Sequence, residues 1–147
     1  MSEKQVSDTQ KNIDELMKEA RNKVSWRERR DAVTELSNHD YRQSVDILKH
    51  ILYKDRVFNV QYAALQSLQK LGVKDIRLPK KKDPYSKKEI VKVFRLIKSH
   101  IKEDITVEAI KEKMKQVNPE MYDVMSHEKK DKFDSWLENT MRTLPKK

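Results

Sequence analysis

The scarcity of glycine constrains the fold of this chain more than any other feature of its sequence. Gly72 is the only glycine among 147 residues, and four prolines accompany it. A β protein needs such residues for its tight turns, whereas the plentiful Lys, Glu, Leu, Gln and Met of this chain favour helices. The sequence therefore predicts an all-α protein. Gly72 itself follows the last apolar position of a helical stripe, where a left-handed residue commonly ends a helix.

Apolar residues recur at helical spacing along most of the chain, and short polar segments separate the stripes. In the first half they predict four helices, at residues 9–23, 26–37, 41–53 and 56–71. Ser25 and Asp40 are suited to cap the second and third of these helices. The fourth helix carries a second apolar face of Phe58, Tyr62 and Leu65, which predicts a central position for it.

Residues 9–72 contain an internal repeat. A shift of 32 residues superposes the second and fourth helices at apolar positions: Trp26 on Phe58, Ala32 on Ala64, Val33 on Leu65 and Leu36 on Leu68. The fourth helix also resembles the second helix of a HEAT-like repeat, at Asp55, Val60-Gln61, Ala63-Ala64, Leu68 and Leu71-Gly72. This resemblance implies two antiparallel HEAT-like helix pairs, a short α-solenoid. A generic helical bundle is the alternative.

The helical spacing is interrupted between residues 73 and 84. Pro79 and Pro84 enclose a Lys-Lys-Lys-Asp run that cannot lie inside a helix. The sequence thus divides into a flexible tail at 1–8, HEAT-like helical repeats at 9–73, a basic linker at 74–85 and a C-terminal helical subdomain at 86–144.

The C-terminal subdomain begins with Ser86 and Glu89, which have the spacing of a capping box. The apolar stripes that follow predict a three-helix C-terminal segment. Between the second and third of these helices, residues 119–125 are interpreted as a single turn that opens at Pro119. Ser126 is then the expected cap of the last helix.

Positive charge is concentrated in one part of the chain. The net charge is +9, and residues 80–102 contribute +7 of it, with nine basic and two acidic residues. A local cluster of this kind favours an anionic partner such as nucleic acid, although a solubilising face is the alternative. The candidate anion-binding residues are Lys80, Lys81, Lys82, Lys88, Lys92, Arg95 and Lys102.

Trp26 lies beside three arginines, Arg27, Arg29 and Arg30, and forms the second candidate patch. Arginine next to an aromatic ring can bind a phosphate or a carboxylate of a partner. With Gln61 of the fourth helix, these residues are the candidates for binding a protein partner. Because Phe58 replaces Trp26 in the repeat, packing inside the core is the alternative role for Trp26.

The residues needed for catalysis or for metal binding are absent or scattered. The chain has no cysteine, and its four histidines are far apart in sequence: His39, His50, His100 and His127. A zinc or iron site needs three or four convergent ligands, and a single glycine excludes a phosphate loop. We therefore expect no enzyme, no cofactor, no metal and no small-molecule substrate.

The sequence contains no apolar segment that suggests a membrane protein. The first residues are polar, and no apolar run approaches the roughly 20 residues of a membrane span. We expect a cytoplasmic location without a membrane partner. Two functions remain open: a protein-interaction adaptor of HEAT-like type, or a nucleic-acid-binding accessory protein that uses residues 80–102.

Overall fold

The computed structural model describes residues 13–145, and every regular element within this range is helical. The predicted tail at 1–8 and the predicted start of the first helix lie outside these residues. The chain divides into two compact units, Met1–Lys82 and Asp83–Lys147. This boundary falls within residues 74–85. No helix of the described range is long and apolar enough to cross a membrane.

The first unit contains a helical stretch at 13–20, labelled α1, followed by α2 (Trp26–Leu36), α3 (Arg42–Lys54) and α4 (Phe58–Lys70). Helix α4 packs against both α2 and α3. Its inward face is built from Val60, Ala64 and Leu68, all fully buried. The small Ala64 allows close approach of neighbouring helices, and Ala32 of α2 is buried in the same way.

The sequence predicts a central position for α4 with both of its apolar faces covered, but only one of these faces is buried. The face of Phe58, Tyr62 and Leu65 remains at the surface, with Tyr62 exposed and the other two half-buried. Periodicity alone cannot distinguish an apolar face that packs inside a protein from one that is left for solvent or a partner.

Two predicted helix ends are confirmed. Ser25 accepts a hydrogen bond from the backbone N–H of Glu28 at the start of α2. After α4, Gly72 has a φ of 82°, and the N–H groups of Gly72 and Val73 donate to the carbonyls of Gln69 and Leu68. These two bonds form a Schellman motif, in which only glycine adopts the left-handed conformation without strain.

The predicted cap of α3 is wrong. Tyr41, and not Asp40, precedes this helix in extended conformation and makes no side-chain capping bond. The N–H of Tyr41 donates to the carbonyl of His39, and this turn moves the start of the helix one residue further along the chain.

The second unit contains α5 (Lys87–His100), α6 (Val107–Val117), α7 (Pro119–Lys129), a 3-10 turn at Lys130–Lys132 and α8 (Phe133–Arg142). Helix α5 packs against α6 and α8, and α7 also packs against α6 and α8. The core of this unit is formed by the large side chains Phe94, Ile97, Ile110, Met114, Met121 and Leu137.

The predicted three-helix segment is corrected to four α-helices. The capping box of Ser86 and Glu89 is confirmed, but residues 119–129 form a complete helix rather than a single turn. Ser126 does not cap the last helix, because it lies inside α7, where its hydroxyl donates to the carbonyl of Asp123. The helix ends instead at Lys130, whose φ of 52° no glycine or proline announces in the sequence.

Candidate interaction surfaces

Trp26 is an interior residue that two arginines cover. It is 6% exposed, and the guanidinium carbons of Arg27 and Arg30 lie 5.4 and 5.1 Å from its ring centroid. Arg27 is exposed and Arg30 is half-exposed. Trp26 thus packs in the first unit, and its aromatic face holds two cations at the surface.

Arg29, unlike Arg27 and Arg30, is buried. Its Nε and Nη2 atoms donate to the two carboxylate oxygens of Asp55 at 2.9 and 3.3 Å. Its Nη1 donates to the carbonyl of Asn22 at 2.8 Å. The side chains of Arg29 and Asp55 are only 7% and 6% exposed. Arg29 therefore joins the turn before α2 to the turn before α4, and its donors face the interior of the unit.

Gln61 is also placed inside the first unit. It is 6% exposed, and its Nε2 donates to the carbonyl of Leu52 at 3.0 Å. This bond supplies a donor to the last turn of α3. The sequence placed Arg29 and Gln61 beside candidate surface residues, but adjacency in a helix does not fix which face a side chain occupies.

The exposed face of α4 has an unusual composition. Lys70 is the only charged residue of this helix, although 39% of the whole chain is charged. Tyr62 is 48% exposed and lies between the half-buried Phe58 and Leu65 at helical spacing. The other exposed residues of the helix before Lys70 are the uncharged Asn59, Gln66 and Gln69. We call the face of Phe58, Tyr62 and Leu65 the α4 face. Sequence reasoning assigned it to the core and so missed it as a surface.

The basic residues predicted to bind an anion are divided between the two units. Lys80, Lys81 and Lys82 are exposed at the end of the first unit. Lys102 is exposed just beyond α5 in the second unit.

Three of the predicted residues, Lys88, Lys92 and Arg95, meet on α5. Together with Lys87 and Val91 they line an open depression of about 570 Å³. We call Lys87, Lys88, Lys92 and Arg95 the α5 stripe. Arg95 also donates to the carbonyl of Pro145 at 3.0 Å.

The second unit contains a series of aromatic contacts that the sequence did not indicate. Trp136 meets Phe94 edge-on at 5.4 Å and stacks on Phe133 at 6.0 Å, and Phe133 meets Tyr122 edge-on at 5.5 Å. Lysines accompany the three outer rings: Lys129 at Trp136, Lys111 at Phe133 and Lys115 at Tyr122, each within 6 Å of the ring centroid. The four rings come from three different helices, because Phe133 and Trp136 both lie on α8, so no single local sequence pattern connects all four.

Lys111 is also held by an ion pair. Its Nζ lies 2.6 Å from a carboxylate oxygen of Asp134, and this hydrogen bond raises the pKa of Lys111 above its usual range. Partial burial opposes the shift. The pair links α6 to the first turn of α8.

Histidines and carboxylates do not converge anywhere within residues 13–145 in a group that could hold a metal ion. Comparison of the chain with protein-family models, with curated protein sequences and with solved structures gives no match. The candidate surfaces are therefore interpreted from their own chemistry.

Proposed function

We propose that this protein is a non-enzymatic interaction module of HEAT-like type, which binds a protein partner through the α4 face. The observation that carries the proposal is an exposed aromatic face on a helix with a single charged residue. The centres of protein interfaces are depleted in charge and enriched in aromatic residues. A helix face that only needs to stay in water would carry the Lys and Glu that are abundant elsewhere in this chain.

The pairing of helices supports the HEAT-like interpretation. Ala32 and Ala64 occupy the same repeat position and are 1% and 0% exposed, and Leu36 and Leu68 share another position with no exposure. In this interpretation α2 and α4 are the second helices of the two repeats, whose exposed faces a partner would contact. Arg27 and Arg30, held at Trp26, would supply cations to the rim of such an interface.

A matched pair of tyrosine variants tests the proposal. Tyr62 and Tyr53 are 48% and 45% exposed, but Tyr53 lies on α3, outside the α4 face. We expect Tyr62→Glu to weaken partner binding by about thirtyfold, which corresponds to an interface anchor of about 2 kcal/mol. Tyr53→Glu is expected to leave the affinity within about twofold, because its ring would remain outside the interface.

The assay has two steps. The partner is first captured with tagged protein and identified, and its dissociation constant is then measured for both variants, with circular dichroism confirming that each is folded. Equal affinities for Tyr62→Glu, Tyr53→Glu and the unmutated chain would show that the α4 face is not the interface.

The α5 stripe favours a second function, the binding of nucleic acid. Four cations of a single helix surround one open depression, and clustered cations of this kind contact the phosphates of nucleic acids. Binding of this kind does not depend on base sequence and weakens steeply as salt is raised.

Charge reversal on two helices separates this function from a general effect of charge. We expect Lys88→Glu with Lys92→Glu to abolish most binding to labelled DNA and RNA in a salt titration. Lys49→Glu with Lys54→Glu removes the same charge from exposed positions of α3 and should have a small effect. If both double variants reduce binding equally, the α5 stripe is not a binding site.

A further inference from the structure

We propose that the second unit binds single-stranded nucleic acid and takes one unstacked base into a cavity beside the α5 stripe. This inference rests on the proposed binding of nucleic acid by the α5 stripe. It adds that the nucleic acid is single-stranded and that the protein has a separate site for one of its bases. It comes from a cavity, an aromatic platform and a row of cations that lie together in the same unit.

The cavity has a volume of about 330 Å³ and lies among α5, α7, α8 and the segments that flank them. Tyr85, Ile90 and Met125 contribute to its apolar wall, and Trp136 lines it from α8. A volume of this size falls at the lower end of the range for ligand pockets. It therefore suits one small ring system, and not a long chain or a folded segment.

Polar groups in the wall indicate what kind of ring it would accept. Thr140 brings a hydroxyl group, and Asp83 and Glu128 bring carboxylates, while the hydroxyl of Thr143 already donates to the carbonyl of Asn139. A hydrocarbon ligand would remove these groups from water without giving them a hydrogen-bonding partner. A flat heteroaromatic ring with N–H donors and ring acceptors can fill the apolar space and also bond to these groups.

Trp136 is a suitable stacking platform for such a ring. Phe94 meets it edge-on at 5.4 Å and Phe133 stacks on it at 6.0 Å, so its orientation is fixed by the core. It is nevertheless half-exposed where it lines the cavity, beside Lys129, whose Nζ lies 5.7 Å from the ring centroid, so a stacked base would take the place of this ammonium over the ring. Base stacking on a preoriented aromatic side chain is the common feature of proteins that bind single strands.

The cavity and the cations are adjacent. Lys87 and Val91 line both the cavity and the depression of the α5 stripe. A base in the cavity would therefore leave its phosphate close to Lys87, and neighbouring phosphates could reach Lys88, Lys92 and Arg95. A free mononucleotide would use only part of this row, whereas a strand uses all of it. A duplex must first unpair and unstack a base before it can place one in the cavity, which costs about a few kcal/mol that a single strand does not spend.

Fluorescence of Trp136 provides a direct test. Trp26→Phe leaves Trp136 as the only tryptophan, and Phe58 already occupies the repeat-equivalent position of Trp26. The full chain with this change is titrated with a DNA strand of about twelve nucleotides, with the same strand lacking bases, and with the duplex. We expect quenching of Trp136 by the single strand alone, and an affinity about tenfold or more above that for the abasic strand and the duplex.

A cavity-filling variant gives a second measurement. Thr140→Phe places a ring inside the cavity, whereas Ser135→Phe adds the same ring on the exposed side of α8. We expect Thr140→Phe to lose the preference for the single strand but to keep the salt-dependent binding of phosphates, and Ser135→Phe to keep both.

The outcomes distinguish the base site from the phosphate site. Equal affinities for the three ligands, with unchanged Trp136 fluorescence, would overturn the base site and leave the phosphate-binding function standing. Absence of any salt-dependent binding would overturn both. The comparison of strand with abasic strand needs no cavity variant, so it decides the question even if Thr140→Phe does not fold.

Discussion

Replacement of Arg29 by methionine tests whether one buried ion pair holds the first unit together. Arg29 makes two bonds to Asp55 and one to the carbonyl of Asn22, at 2.8–3.3 Å. Methionine retains much of the apolar length of the side chain and removes all three donors. The carboxylate of Asp55 would then be left in the interior with the N–H of Val57 as its remaining donor among the bonds described, at 2.8 Å.

The expected cost follows from this geometry. Removal of one partner from a buried ion pair costs about 3–5 kcal/mol, because the charge left behind has lost its compensation. A unit of about 70 residues has a total stability of roughly 3–10 kcal/mol. Arg29→Met should therefore unfold the first unit or bring it close to unfolding at room temperature. Asp55→Asn in the same chain should restore part of the loss, because it removes the stranded charge but retains an acceptor for Val57.

Urea denaturation with a reporter confined to the first unit measures this effect. In a Trp136→Phe background, Trp26 alone reports on the first unit, which avoids treating two units as one transition. The control is Arg42→Met, where Arg42 and Asp46 are 93% and 69% exposed and 4.0 Å apart, so the expected change is below about 0.5 kcal/mol. The reasoning is refuted if Arg29→Met shifts the transition no more than Arg42→Met, or if Asp55→Asn deepens the loss.

Three further changes have defined outcomes. Gly72→Ala should lower the free energy of unfolding by about 1–2 kcal/mol in the same denaturation experiment, because a φ of 82° strains any residue with a side chain. An added Cβ would meet nothing within 4 Å, so the loss would come from the backbone alone. Gly72→Asn should cost less, because asparagine tolerates the left-handed conformation better. Ser67→Ala should also lower the free energy of unfolding by about 1–2 kcal/mol, because the Ser67 hydroxyl donates at 2.8 Å to the buried carbonyl of Val33 in the last turn of α2. An unchanged denaturation midpoint would mean that another donor replaces this hydroxyl. The pair of Lys111 and Asp134 should stabilise the second unit below the unfolded pKa of lysine, and this contribution should disappear as the pH rises through the raised folded pKa. We therefore compare the free energy of unfolding of the second unit in the unmutated chain and in Lys111→Met. The difference should be at most about 1 kcal/mol for a partly exposed pair, constant around neutral pH, and absent in alkali.

Local chemistry explains which parts of the fold the sequence could predict. The Schellman end at Gly72 and the capping box at Ser86 each depend on a few neighbouring residues whose conformational preferences are strong. The break between α7 and α8 depends instead on a positive φ at Lys130, which lysine rarely adopts. No glycine, proline or asparagine stands near Lys130 to mark this conformation, so a local pattern could not predict it.

The candidate surfaces show the same limit at the level of helix faces. A mixture of aromatic and arginine residues at Trp26–Arg30 indicated a binding patch, but the helix turns Arg29 inward towards Asp55. This partner lies 26 residues away in sequence, and only the packing of α4 on α2 brings the two together. Conversely, the apolar spacing of the α4 face predicts a core position, because nothing in that spacing distinguishes a covered face from an exposed one. The α5 stripe was predictable, because its charge and its helical spacing both appear in one short segment.

The two proposed surfaces differ in their physical basis, and this difference makes them separable in a single experiment. The α4 face offers aromatic and uncharged groups, so its contribution to binding arises mainly from burial of apolar area, which salt does not weaken. The α5 stripe offers only cations at its rim, so its contribution arises from release of counterions and falls linearly with the logarithm of the salt concentration. A partner that used both surfaces would show a salt-dependent part and a salt-independent part. Lys88→Glu with Lys92→Glu should then remove the dependence of the affinity on salt. Tyr62→Ala, which removes the ring without adding a charge, should lower the affinity at every salt concentration. A salt dependence that changes in Tyr62→Ala would contradict the assignment of the two surfaces.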